Sequence, residues 1–283
     1  MQNRFATLLL AICALCVVSC RTQPKQSSDR YVVLSPEVTE ILCALGVEDR
    51  IVGVTAECDF PQSLRKLPQI GNFGAVNFEK VANLNPSIVF SSALEQESIA
   101  LDLKKLGLQV ERSYPKSLDE LRREIVRLGK VIGKEKEALE LEDSLKVAID
   151  AIRKKQTGKA IPKVYIEIYR DPLMSVSDAS FVGELIETAG GDNIFSALER
   201  DYARVKAEDV IQLKPDIIIC YSQDSLEGIL SRKGWQSIPA IKNKMIFFEK
   251  DISPDLIQRA SPRSIEGMMA LAVRQAQWLV IQE

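Results

Sequence analysis

The sequence predicts an α/β protein of two lobes, each built on a parallel sheet, that are joined by one long helix. The first observation is an internal repeat: residues 79–90 and residues 208–219 share Glu, Val, Leu, Pro and Ile at the same offsets. Each copy reads as a short helix, a proline stop and an apolar strand of the kind that a parallel sheet buries on both faces. The second is an amphipathic stretch between the copies. The third is a length of 283 residues, which suits two modest domains.

The N-terminus reads as an export signal. Arg4 precedes an apolar run over residues 5–18, whose 14 residues fall short of the ~20 that a membrane-spanning helix needs. A small residue, Ser19, and then Cys20 follow the run, and together they resemble a bacterial lipobox. We therefore expect residues 1–19 to be a signal peptide, Cys20 to carry a lipid, and residues 20–30 to be a flexible tether. The protein would be exported and lipid-anchored to the cell membrane, facing the periplasm or the cell exterior. An ordinary signal or a buried apolar segment is the alternative.

Residues 31–133 are predicted to form the first lobe. A strand over residues 31–34 is followed by Ser35 as a helix N-cap and Pro36 at the first helical position. A second strand is expected over residues 51–54. The second lobe is predicted to span residues 162–283.

Residues 134–156 are predicted to form the helix that links the lobes. It follows a shorter helix that begins with a candidate capping box, Ser117 and Glu120, and Gly129 and Gly133 are expected to divide the two helices. The linking helix would be about 33 Å long at ~1.5 Å per residue. A coiled coil is the alternative, but its apolar stripe covers only about three heptads. Packing onto both lobes is therefore favoured.

Composition excludes several classes of function. The chain has 37 basic and 39 acidic residues with no long run of like charge, so a nucleic-acid partner is not expected. It has no histidine, which removes the commonest protein ligand of zinc and haem iron and rules out Ser-His-Asp and Cys-His catalysis. We predict no catalytic residue, no metal-ligating residue and no cofactor. A surface-anchored hydrolase that uses a carboxylate pair remains a rival, as does a purely structural lipoprotein.

Three cysteines remain after Cys20. Cys43 falls on an apolar helical face and is expected in the core. A disulfide between Cys58 and Cys220 is possible, but the spacing of the cysteines does not establish it.

A series of short motifs, none specific alone, resembles the cobalamin- and siderophore-binding proteins of ABC importers. The resemblance covers residues 31–281, and the last motif favours the cobalamin branch. In chain order the motifs are Leu34-Ser35-Pro36-Glu37-Val38-Thr39-Glu40, Ile51-Val52-Gly53-Val54, Asp59-Phe60-Pro61, Gly71-Asn72-Phe73-Gly74, Asn77-Phe78-Glu79, Gly190-Gly191-Asp192-Asn193-Ile194-Phe195 and Arg259-Ala260-Ser261-Pro262-Arg263.

The resemblance implies two Rossmann-like lobes with a ligand cleft between them. It also implies a non-enzymatic protein that captures a metal chelate, a corrinoid above all, and delivers it to a permease and its ATPase. Haem or a ferric siderophore is the alternative ligand, and a monomer is expected. In open α/β sheets ligands lie at the carboxyl ends of strands. The candidate cleft residues are Ser35, Pro36, Glu57, Cys58, Phe73, Ser92, Tyr169, Arg170, Ser222, Asp251 and Arg259.

Individual positions refine this expectation. Phe73 matches an aromatic residue that packs on the corrin in the family, whereas covering the core is its alternative role. Ser92 and Glu57 stand where the family has tryptophan and tyrosine, which leaves the identity of the ligand open. Tyr169 or Met174 could coordinate iron instead.

Two glutamates are predicted to dock the permease. Glu79 and Glu208 occupy matching places in the internal repeat, and the resemblance implies that one glutamate on each lobe pairs with permease arginines. The alternative is a favourable interaction with the helix dipole, which is worth ~0.3–1 kcal/mol.

Overall fold

A computed structural model describes residues 29–92 and 96–282. The predicted signal peptide, Cys20 and the tether up to residue 28 lie outside the described residues. Within the described part, no helix has the length and apolar character needed to cross a membrane.

The first lobe is a four-stranded parallel sheet flanked by helices. Its sheet has the strand order β2-β1-β5-β6, and a short antiparallel hairpin of β3 and β4 lies beside it. Parallel strands need crossover connections, and helices supply most of them here. In chain order the elements are β1 (Tyr31–Val33), α1 (Pro36–Ala44), β2 (Ile51–Val54), β3 (Gly71–Asn72), β4 (Ala75–Val76), α2 (Phe78–Asn83), β5 (Ile88–Ser92), α3 (Glu97–Lys105), β6 (Val110–Ser113) and α4 (Leu118–Val131).

The second lobe has the same kind of sheet, with the strand order β10-β7-β12-β13, all parallel. A small antiparallel sheet, β11-β9-β8, is attached to it. After the linking helix α5 (Glu135–Gln156), the elements are β7 (Lys163–Glu167), β8 (Tyr169–Arg170), β9 (Leu173–Val176), α6 (Phe181–Thr188), β10 (Asp192–Asn193), β11 (Tyr202–Arg204), α7 (Ala207–Leu213), β12 (Ile217–Cys220), α8 (Leu226–Ser231), α9 (Pro239–Lys242), β13 (Ile246–Phe248), α10 (Pro254–Gln258) and α11 (Ser264–Gln282). The predicted fold of two lobes with parallel sheets and one long helix is confirmed.

The internal repeat corresponds to one helix–strand unit in each lobe, α2–β5 and α7–β12. Both strands lie inside their sheets with a neighbour on each side, which explains why they are continuously apolar. The residues that precede the two prolines, Asn85 and Lys214, have left-handed φ angles of 45° and 50°. The two copies therefore share a turn as well as a sequence pattern.

The linking helix packs on elements of both lobes. It packs against α4 and also contacts α6 and α11 of the second lobe. Gly133, with a φ of +71°, makes the turn between α4 and α5. Gly129, predicted to divide the two helices, lies inside α4 instead. A side chain at this position would collide with Ala138, so the glycine lets α4 and α5 approach each other closely. One half of the predicted capping box is observed, because the Ser117 hydroxyl accepts a hydrogen bond from the Glu120 amide at 3.1 Å. The Glu120 carboxylate accepts from the Lys116 amide at 2.8 Å, one residue before the N-cap amide that a capping box uses.

The three cysteines of the described chain are free thiols. Cys43 is half-buried and packs against the core, as predicted, whereas Cys58 and Cys220 are buried in different lobes. Burial raises the pKa of Cys43 to about 12 and that of Cys58 to about 11. The disulfide considered between Cys58 and Cys220 is absent from this structure.

Candidate functional site

A cleft between the lobes encloses about 750 Å³ of empty space, including its open mouth. Both lobes contribute loops that follow strands or begin helices, which is where an α/β protein is expected to hold a ligand. The first lobe contributes Pro36, Glu37, Phe73, Tyr114, Pro115 and Lys116, and the second contributes Ser180, Phe181, Asp201, Tyr202, Gln258, Arg259 and Ala260.

Four aromatic rings line this cleft, two from each lobe. Phe73 and Tyr114 come from loops of the first lobe, and Phe181 and Tyr202 begin α6 and β11 of the second. Aromatic rings offer large flat apolar surfaces, and the tyrosines add a polar end. A cleft with such rings in both walls suits a broad, flat ligand.

The backbone of Phe73 is held from two sides. Its amide donates to a Glu57 carboxylate oxygen at 2.8 Å, and its carbonyl accepts from the Gln96 side-chain amide at 2.9 Å. Gln96 is buried, donates also to the Leu34 carbonyl at 2.9 Å, and accepts from the Ser92 amide at 2.8 Å. These hydrogen bonds fix the Phe73 loop to the ends of β1 and β5. Glu57 and Ser92 therefore contribute to the loop that presents Phe73.

Arg259 lines the cleft and also joins the lobes through a buried ion cluster. It pairs with Glu40 of α1 at 3.0 Å and with Asp59 at 3.0 Å. The Glu40 carboxylate, only 2% exposed, also pairs with Arg263 at 3.2 Å and accepts from the Ser261 hydroxyl at 2.5 Å. Because the arginines and Ser261 follow α10 in the second lobe, this cluster holds the two lobes together at the cleft.

Arg170 and Ser222 belong to a second ion cluster within the second lobe. Glu167, fully buried, pairs with Arg232 at 2.6 Å and accepts from the Ser222 hydroxyl at 2.5 Å. Asp224 pairs with Arg232 at 2.7 Å and with Arg170 at 3.0 Å. Burial, the largest influence, disfavours the charged form of Asp224. The hydrogen bonds from Arg232 and from the Ser225 amide, together with the charges of Arg232 and Arg170, outweigh it and lower the pKa of Asp224 below its usual value. The cluster fixes the carboxyl ends of β7 and β12.

The remaining predicted residues lie outside the lining of the cleft. Ser35 and Cys58 are fully or almost fully buried, because they pack under the ends of β1 and β2. The Ser35 hydroxyl makes no capping bond and has no hydrogen-bond partner among the described residues. Tyr169 is 55% exposed on β8, and the Asp251 carboxylate accepts from the Phe248 amide at 2.9 Å. Of the eleven predicted cleft residues, the lining contains Pro36, Phe73 and Arg259.

Sequence reasoning missed most of the cleft lining. Tyr114, Pro115 and Lys116 follow β6 directly, so the rule about carboxyl ends of strands pointed to them. Phe181 follows the N-cap Ser180, whose hydroxyl accepts from the Gly183 amide at 3.1 Å. The small antiparallel sheet that carries Tyr202 had no recognisable signal. Within residues 29–92 and 96–282, no group of three or more acidic or cysteine side chains is placed to hold a metal ion.

Glu79 and Glu208 occupy equivalent positions, each as the second residue of its helix. Both side chains are exposed, and neither forms an ion pair or a side-chain hydrogen bond with the part of the chain that the structure describes. The two carboxylates are therefore accessible to an external partner.

The chain is similar to several known proteins along most of its length. A family model described as periplasmic binding protein matches residues 32–252. An uncharacterized ABC transporter substrate-binding lipoprotein of Bacillus subtilis, YvrC, is 31% identical over 258 residues, which cover 88% of this chain and 80% of the relative. The vitamin B12-binding protein of Yersinia pestis is 25% identical over 264 residues, or 93% of this chain and 92% of the relative.

The fold is shared with solved structures. The periplasmic heme-binding protein RhuT from Roseiflexus, in its apo form, superposes with a TM-score of 0.79 at 21% identity, covering 89% of this chain and 99% of that one. At this identity the similarity concerns the fold.

Proposed function

Because this chain belongs to the periplasmic binding protein family, we propose that it captures a corrinoid outside the cell and delivers it to the permease of an ABC importer. It is a substrate-binding protein of the class that serves importers of cobalamin, haem and siderophores. The proposal includes export and a lipid on Cys20, which the name of the Bacillus subtilis relative supports. It also includes a monomeric protein that works with a permease and an ATPase.

The placement of four aromatic rings in the two walls of the cleft is the observation that carries the proposal. A corrin is a broad macrocycle whose faces are apolar and whose edge bears amide groups. The rings of Phe73, Tyr114, Phe181 and Tyr202 suit the faces. Glu37 and Gln258 line the same cleft, and their side chains can exchange hydrogen bonds with the amides.

Haem is the second candidate ligand, and two tyrosines favour it. Tyr114 and Tyr202 both line the cleft, and a tyrosine can ligate haem iron in a chain that has no histidine. Tyr169, considered from the sequence as an iron ligand, lies outside the cleft lining.

Calorimetric titration of the mature, lipid-free protein with cyanocobalamin tests the proposal, with haem and a ferric siderophore as comparisons. We expect one-to-one binding of cyanocobalamin and a negligible response to the other two. Binding of haem or the siderophore, without binding of cyanocobalamin, would contradict the choice of ligand. It would remain consistent with a role in an ABC importer. If folded protein binds none of the three ligands, the alternative functions, a surface-anchored hydrolase or a structural lipoprotein, would be favoured.

Replacing Phe73 should weaken ligand binding about 10- to 100-fold, because a buried aromatic contact of ~1.5–3 kcal/mol is lost. Phe73→Ala removes the ring, whereas Phe73→Trp keeps an aromatic surface and should bind nearly as tightly as the wild type. Leu101→Ala, at a 50% exposed position on α3, is the control for a general effect of truncation. Equal affinity of Phe73→Ala and the wild type would show that Phe73 only covers the core.

A further inference from the structure

The cleft continues into a second, outer cavity. The outer cavity has about 640 Å³ of empty space, including its open mouth, and is lined by Tyr114, Lys116, Glu199, Arg200, Asp201 and Tyr202. Four of these residues, Tyr114, Lys116, Asp201 and Tyr202, also line the cleft. They therefore form the wall between the two spaces, with two residues from each lobe.

An ion pair closes this wall. The Lys116 ammonium lies 2.8 Å from an Asp201 carboxylate oxygen, and 5.8 Å from the centre of the Tyr114 ring. Lys116 follows β6 in the first lobe, and Asp201 precedes β11 in the second. The two side chains are 49% and 18% exposed, so water weakens their attraction. The cluster around Glu40, by contrast, is buried, so Lys116 and Asp201 form the weaker of these two ionic connections between the lobes.

We propose that Lys116 and Asp201, flanked by Tyr114 and Tyr202, are a gate between two ligand subsites. The inner cleft holds the macrocycle, and the outer cavity receives a bulky polar substituent that projects from it. This inference rests on the proposed function, since it assumes that a macrocyclic chelate occupies the cleft. It names a class of ligand: a flat chelate with a large side group that passes the opened gate.

The outer cavity has the chemistry that such a substituent needs. Two phenol rings can stack on a heterocycle. Arg200 is exposed, and within residues 29–92 and 96–282 it forms no ion pair or side-chain hydrogen bond, so its guanidinium is accessible to an anionic group such as a phosphodiester. Cyanocobalamin carries a nucleotide joined through a phosphodiester, whereas dicyanocobinamide has the same corrin without that nucleotide.

Thiol labelling tests the gate without any ligand. Ala260 lines the inner cleft and is 7% exposed, so a cysteine introduced there reports access to the cleft. We expect Lys116→Ala to speed maleimide labelling of Ala260→Cys about two- to five-fold, the size of effect that an exposed ion pair supports. Peptide-resolved mass spectrometry uses Cys43, Cys58 and Cys220 as internal references.

The charge-swapped pair Lys116→Asp with Asp201→Lys should restore slow labelling, and Lys136→Ala, which breaks an exposed pair with Glu140 on α5, should leave the rate unchanged. An unchanged rate in Lys116→Ala would overturn the gate.

The two corrinoids test the outer subsite. Arg200→Trp fills the outer cavity, and we expect it to weaken cyanocobalamin binding at least 10-fold while dicyanocobinamide binds as to the wild type. An equal effect on both corrinoids, or no effect on either, would overturn the outer subsite. If neither corrinoid binds the wild type, both the outer subsite and the proposed function are rejected. The labelling experiment still tests the gate, because it needs no ligand.

Discussion

Reversing the charges of Glu79 and Glu208 together is expected to abolish uptake of the ligand while leaving its affinity for the isolated protein unchanged. The double variant Glu79→Arg with Glu208→Arg places positive charge where the permease is proposed to present arginines. Close interfacial charge pairs can contribute ~1.5 kcal/mol or more each. The loss of two such pairs would therefore weaken docking about 100-fold or more, before any repulsion is added.

The structure gives three reasons to expect a specific effect. Each glutamate is the second residue of its helix, α2 or α7, so the two sites are related by the internal repeat. Both are exposed and unpaired within the described chain. Neither lines the cleft, so neither change should touch the ligand. The helix dipole alone predicts only a small loss of stability, about 0.3–1 kcal/mol at each position.

A matched control distinguishes docking from a change of net charge. Glu227 and Glu266 are also exposed acidic residues in first helical turns, of α8 and α11. The double variant Glu227→Arg with Glu266→Arg makes the same change of charge outside the repeat, and should transport normally. Uptake is measured with labelled ligand in cells, and affinity by calorimetry on the purified variants. Normal uptake by the Glu79 and Glu208 variant, or a loss of affinity in it, would contradict the docking role.

The sequence predicts the architecture well because the architecture is repeated and periodic. The apolar patterns of β5 and β12 are each preceded by a proline at the same offset. Each copy therefore supports the interpretation of the other as a helix followed by a buried strand. The linking helix, predicted over residues 134–156, is observed at Glu135–Gln156. Both features depend on local rules about helices, strands and turns, which a single sequence displays directly.

The cleft is harder to predict because its lining comes from distant parts of the chain. Tyr114 and Tyr202 meet at one wall only because the two lobes are packed against each other. Ser92 ends β5 and Ser222 follows β12, both at the expected carboxyl ends, yet the Ser92 amide donates to Gln96 and the Ser222 hydroxyl donates to Glu167. The strand rule thus finds the correct edge of each sheet. It does not say which polar groups at that edge form hydrogen bonds within the protein and which face the ligand.

Replacing Glu40 by alanine is expected to lower the free energy of unfolding by about 3–5 kcal/mol, the usual cost of removing one partner from a buried ion pair. The carboxylate compensates two arginines of the other lobe. Without it, Arg259 keeps its pairs with Asp59 and Asp255, whereas the Arg263 guanidinium keeps, among the described residues, only its position over the Phe60 ring, 3.7 Å from the ring centre. A positive charge would then remain partly buried without a counter-ion.

The same change should also uncouple the lobes, because the Glu40 cluster connects α1 with the segment after α10. Trp235 and Trp278 both lie in the second lobe, so their fluorescence follows that lobe in denaturant, whereas circular dichroism follows both. We expect the two transitions to coincide in the wild type and to separate in Glu40→Ala, since loss of coincidence marks the loss of two-state unfolding. The control Glu140→Ala breaks an exposed pair with Lys136 and should cost no more than about 0.5 kcal/mol. A similarly small loss in Glu40→Ala would show that the interlobe cluster contributes little, and that packing of α5 on both lobes is what holds them together.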